Sequence, residues 1–154
     1  MHAAREIPPF DVALFDAGQT LIHPVGTIEK IYAQYAEQSG IPLEELTRKI
    51  RHHFGELFGR ARLEMARGED GFVWSDELDR RMWRRVCLSV AERIPEMTAD
   101  PERWFGELYD HFGQRSSWRL FDDTRPALEG LRERGVRLGV GCDRSLGATD
   151  VVDD

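Results

Sequence analysis

Between Thr27 and Phe112 the sequence sets out the same pattern four times: apolar residues three and four positions apart, embedded in charged sequence. That is the period of a helix with one buried face. Ile28, Ile31, Tyr32, Tyr35 and Ala36 form the first stripe, with Thr27 placed as N-cap and Gly40 as the stop, which predicts a helix over 27–39. Leu46, Ile50, Phe54, Leu57 and Ala61 form the second, over 43–67, ending at Gly68. Ser75, followed by Asp76 and Glu77, caps a third that carries Leu78, Met82, Val86, Val90 and Ile94. Asp100 and Pro101 open a fourth, with Trp104, Phe105, Leu108, Tyr109 and Phe112 inward. Four such stripes can bury one another, so the segment is expected to form a helical module.

The flanks follow a different rule. Val12 to Phe15 is a short apolar run that stops at Asp16 and runs into Ala17, Gly18 and Gln19, the mark of a buried strand feeding a turn. Asp123, Thr124 and Pro126 open a shorter helix with Leu128 and Leu131, Gly135 closes it, and Val136 to Val140 returns to a strand. The chain reads as strand, four-helix insertion, helix, strand, and then a polar tail from Asp143. This is an α/β arrangement.

With 154 residues, one core is expected, burying roughly 68–70% of the unfolded surface. An apolar share of 41% beside 32% charged residues excludes a disordered chain, and no uncharged run is long enough for a membrane span. The opening MHAAREIPPF lacks an apolar run of signal-peptide length, so a cytoplasmic protein is expected. Cys87 and Cys142 are too few for a disulfide framework or a zinc site and are read as core thiols. A net charge of −7 argues against nucleic acid as a partner. Lys30 and Lys49 are the only lysines, so none follows position 49.

Chemistry points first to Asp16. A carboxylate at the carboxyl end of a buried strand faces the crevice where α/β folds bind ligands, although such an Asp also serves as a turn former or N-cap. The Gly18–Gln19–Thr20 turn that follows leaves backbone groups free for a phosphate or for a hard cation.

The segment ALFDAGQTL, residues 13–21, resembles the first motif of the haloacid dehalogenase (HAD) superfamily, an apolar strand followed by Asp-x-Asp-Gly-Thr-Leu. The likeness continues through HPVGTIEKIYAQYAEQSGI, residues 23–41, similar to the entry into that family's helical cap, and through residues 108–140, similar to the return into the second core strand. The resemblance implies a partial Rossmann-like core of residues 1–22 and 114–142, an inserted four-helix cap of residues 23–113, and an unrelated tail of 143–154. It further implies a hydrolase acting on a small phosphorylated metabolite. Asp16 would be the nucleophile that becomes an aspartyl-phosphate, and Mg²⁺ would be held by Asp16 and the Gly18 carbonyl. Relatives that work as dehalogenases use the same Asp on carbon and need no metal.

The match is incomplete in a particular way. Gly18 stands where the motif has its general-acid Asp, while Thr20 matches the motif's Thr. No Ser or Thr follows Val140 at the family's phosphate-holding place, Ser145 coming too late; the family's charge-offsetting lysine has no counterpart after Lys49, and Asp153 and Asp154 have the letters of its acidic pair but no room for the intervening helix and strands. A shifted reading frame, an early stop or a degenerate copy would each end the likeness here. The expectation is therefore an inactive chain that binds Mg²⁺ weakly and self-associates through its incomplete core. The rival expectation is a non-catalytic helical interaction module.

Weaker signals complete the reading. Arg80, Arg81, Arg84 and Arg85 form a basic patch, read as a solvated face paired with Glu77 and Asp79. His52 and His53 are adjacent, point to different sides of a helix and have no third ligand. Gly55 and Gly59 would let a neighbouring helix approach closely. Trp74, Trp83, Trp104 and Trp118 are read as core.

Overall fold

The computed structural model describes residues 10–36, 40–66 and 75–141. The two flanking strands meet: β1 (Val12–Asp16) pairs in parallel with β4 (Arg137–Gly141), in register from Val12 opposite Arg137 to Asp16 opposite Gly141. Between them lie α1 (Ile28–Tyr35), α2 (Leu43–Ala66), α3 (Asp76–Arg93), α4 (Pro101–Phe112) and α5 (Thr124–Glu133). The architecture is mixed α/β, a small parallel sheet with helices.

A second pairing was not anticipated. β2 (Ile22–Pro24) runs antiparallel to β3 (Trp118–Leu120), with Ile22 opposite Leu120 and Pro24 opposite Trp118. Three residues are too few to show a period, and the partners lie almost a hundred positions apart. The pair closes the neck of the helical insertion, and the Val25 amide extends it by donating to the Ser117 carbonyl at 2.8 Å.

The caps fall where expected. Thr27, Ser75 and Asp100 accept from the backbone amides of Lys30, Leu78 and Arg103 at 3.1–3.3 Å, each satisfying one orphan donor of its helix. Gly135 takes φ +79°, and its amide and that of Val136 bond the Arg132 and Leu131 carbonyls, which ends α5. α1 stops earlier than expected, because Ala36 turns into the extended region (φ −70°, ψ 119°).

The helices pack α1 on α2, α2 on α3, α3 on α4 and α4 back on α1. Ile31, Tyr32, Leu46, Ile50, Leu57, Val90, Ile94, Trp104, Phe105 and Leu108 are buried in one shared core. Trp104, 2% exposed, lies edge-on to Tyr32 with ring centroids 5.5 Å apart, and its indole N–H donates to the Tyr32 carbonyl at 3.3 Å. A smaller core of Ala17, Leu21, Ile22 and Trp118 lies under the strands, and Phe112 packs against both. Trp83 and Trp118 are packed as read; Trp74 and Cys142 lie outside the described residues.

The glycine expectation is corrected. A Cβ at Gly55 or Gly59 would meet nothing within 4 Å among the described residues, so none of the described helices approaches closely there. Both sit one position beyond Phe54 and Phe58, which pack against the Ala61, Met82 and Val86 cluster, about 100° around the helix.

Trp104→Ala removes the largest buried side chain and leaves the Tyr32 carbonyl without its indole donor. The expected loss is about 3–5 kcal/mol, read from urea unfolding followed by far-UV circular dichroism.

Candidate functional site

Asp16 is the last residue of β1, and because β1 and β4 are parallel their carboxyl ends lie side by side, with Gly141 next to it. The Asp16 side chain is exposed. Ala17, fully buried, then anchors a tight turn: its carbonyl accepts from the amides of Thr20, Leu21 and Ile22 at 3.3, 2.9 and 3.0 Å. The Gln19 amide returns to the Ile22 carbonyl at 2.8 Å, which completes a parallel bridge between Gly18 and Ile22. A bridge of this kind uses the groups of Ala17, Gln19 and Ile22, so it leaves Gly18's own N–H and carbonyl unspent.

Gln19 holds φ +65° with a full side chain, a conformation that costs on the order of 1–3 kcal/mol and persists only where the surroundings impose it. Here they do. The Leu21 carbonyl accepts from the Thr124 hydroxyl at 2.8 Å and the Phe121 amide at 3.1 Å, which fastens the turn to the start of α5.

The structure thus places Asp16, Gly18 and Thr20 on one clamped turn. Asp16 offers a cation one carboxylate and Gly18 one carbonyl, and among the described residues no group of three His, Cys, Asp or Glu side chains converges. Mg²⁺ prefers six oxygens and accepts waters for most, so this donor set does not by itself make a tight site. Ser145, Asp153 and Asp154 lie outside the described residues.

Beside the turn, Gln19, His23, Thr27, Glu29 and Phe121 line an open depression of about 360 Å³. His23 packs on Phe121 with centroids 4.8 Å apart, and its Nδ1 lies 3.0 Å from the Pro24 carbonyl. Sequence reasoning assigned neither His23 nor Glu29 a role. Their convergence depends on the β2–β3 pair, which carries no sequence signal.

The arginine patch needs a correction. Glu77 pairs with Arg81 at 3.1 Å as expected, but Asp79 is buried and accepts from Trp83 Nε1 at 3.1 Å and the Tyr109 hydroxyl at 3.3 Å. Its position three before Met82 puts it on the inward stripe. Arg80 lies 4.8 Å over the Tyr109 ring and 5.4 Å over Phe105, while Arg84 bonds Glu102 and Arg85 bonds Glu64. The His52 and His53 rings lie edge to face with centroids 4.8 Å apart. Burial pushes the Cys87 thiol up to about 12, which leaves it unreactive.

His111 went unremarked in the sequence. Its Nδ1 lies 3.0 Å from the Tyr35 hydroxyl and 3.4 Å from Ser117 Oγ, and its Nε2 is buried without a hydrogen-bond partner among the described residues. The Ser117 hydroxyl donates to the His111 carbonyl at 2.6 Å, so its proton is committed to the backbone and the pair is structural. Desolvation lowers the His111 pKa from its ordinary value of 6.5. The unfolded chain therefore binds this proton more readily than the folded one, and stability is lost as pH falls below about 6.5. Melting temperatures measured between about pH 7 and pH 5 should fall more steeply for the wild type than for His111→Gln.

Comparison with models of known protein families and with curated proteins returned no match to this chain.

Proposed function

We propose that this chain carries the nucleophile turn of a HAD-like, phosphatase-type hydrolase for a small phosphorylated metabolite, and that as it stands it does not turn over. The observation that carries the reading is Asp16 at the carboxyl end of a parallel strand pair, followed by a clamped turn that leaves the Gly18 carbonyl unspent. The partial Rossmann-like core and inserted cap belong to the same reading. In this chemistry an Asp16 carboxylate oxygen bonds to phosphorus as the P–O bond to the leaving alcohol breaks, and water then cleaves the aspartyl-phosphate. Mg²⁺, when bound, offsets charge on the transferring oxygens. Asp16 and the Gly18 carbonyl would hold it weakly.

Gly18 offers no acid to protonate the leaving alcohol, and no lysine follows position 49 to offset charge at the phosphoryl group. Losing one preorganised donor typically costs ~10²–10³ in rate. Purified chain, assayed with an aryl phosphate and Mg²⁺ beside Asp16→Asn, should release no phosphate above background. Mg²⁺-dependent release abolished by the substitution would refute silence, and halide release from a haloacid without metal, lost in the same variant, would move the chemistry from phosphorus to carbon.

A second reading, a helical interaction module, is favoured by the larger core lying within α1–α4. Self-association belongs with either. Alternation puts Val12 and Leu14 on one face of β1, where Leu14 is 80% and Val12 45% exposed. Parallel sheets are normally covered on both faces. Sedimentation should show a dimer or larger species, shifted toward monomer in Leu14→Ser.

A further inference from the structure

A groove of about 480 Å³ runs between α2 and α3, away from Asp16. Five arginines line it: Arg60 from α2, and Arg81, Arg84, Arg85 and Arg93 from α3. Among the described residues Glu92 is the one carboxylate in the lining, and the floor is formed by Leu57 and Ala61, both almost fully buried, and the half-buried Leu88. In a chain of net charge −7 this concentration of cations runs against the overall sign.

We propose that the groove binds an acidic amphipathic helix of a partner protein. The α3 wall recurs at positions 81, 84, 85, 88, 92 and 93, a second stripe beside the one buried in the core, and extends about 18 Å at 1.5 Å per residue. Three turns of a partner helix match that length. Its apolar stripe would lie against the half-buried Leu88, and carboxylates flanking the stripe would meet arginines on the walls. A bare polyphosphate or nucleic-acid backbone has no use for the apolar floor, and a small metabolite does not reach from Arg81 to Arg93.

The arginines are available for exchange. Arg60 pairs with Glu64 at 3.1 Å, Arg81 with Glu77 at 3.1 Å, Arg84 with Glu102, and Arg85 with Glu64. None of those three carboxylates lines the groove. The arginine side chains are half or more exposed, and exposed pairs contribute little. A bidentate guanidinium–carboxylate contact over an apolar floor is stronger than such a pair. The inference does not depend on the hydrolase reading; it gives the interaction-module reading a partner chemistry, and because phosphate release is a separate readout either can fail alone.

The test uses the full chain and a fluorescein-labelled helical peptide with leucines at helical spacing flanked by glutamates, titrated by anisotropy. Saturable binding that weakens as salt rises from about 50 to about 300 mM is expected. The Arg81→Gln/Arg85→Gln double variant should bind about tenfold more weakly, with an unchanged melting temperature. Ser89→Glu, which adds a repelling charge beside the floor, should do the same. The proposal is overturned if no binding is seen, if a glutamine version of the peptide binds equally well, if both variants bind like the wild type, or if polyphosphate or single-stranded DNA displaces the probe better than unlabelled peptide.

Discussion

The fold depends on the contact between Trp104 and Tyr32. The indole fills the centre of the helical module and spends its one polar group on the Tyr32 carbonyl, while the Tyr32 ring stands edge-on to both Trp104 and Phe54. One side chain therefore links α4 to α1 and, through Tyr32, to α2. Aromatic edge-to-face pairs of this kind add about 0.5–1.5 kcal/mol beyond the area they bury. Because the ring of four helices closes between α4 and α1, the rest of the module is positioned by this junction.

Phe112 carries the order outward. It packs on Tyr32 with centroids 6.1 Å apart and on Trp118 at 5.9 Å, and its carbonyl accepts the Trp118 indole N–H at 2.8 Å. The end of α4 is thereby coupled to the start of β3, and β3 to β2. From β2 the chain reaches the turn after Asp16, whose left-handed residue Gln19 is held by Ala17 beneath and by the Thr124 hydroxyl on Leu21. The candidate site therefore rests on the small core, while most of the buried apolar surface belongs to the helices.

Charge is distributed against the average. Glu44, Glu45, Asp76 and Glu77 stand in the first turns of α2 and α3, where they complement the helix dipoles, and arginines gather between the two helices. One buried carboxylate, Asp79, is kept off that surface by two donors from the core, Trp83 and Tyr109. The arginine wall consequently faces the groove with fewer acids than its sequence neighbourhood contains.

The helical stripes, the caps Thr27, Ser75 and Asp100 and the stop at Gly135 were readable in the sequence, because each rests on groups a few residues apart. So was the place of Asp16 at the end of an apolar strand. The β2–β3 pair, the clamp from Thr124 to Leu21, the inward turn of Asp79 and the Tyr35–His111 contact were not. Each joins groups whose complementarity exists only after distant segments meet, or, for Asp79, depends on donors supplied by two helices. Sequence by itself determined which local elements form and where they end; tertiary structure decided what those elements bury, because burial is a property of the partner surface and not of the segment.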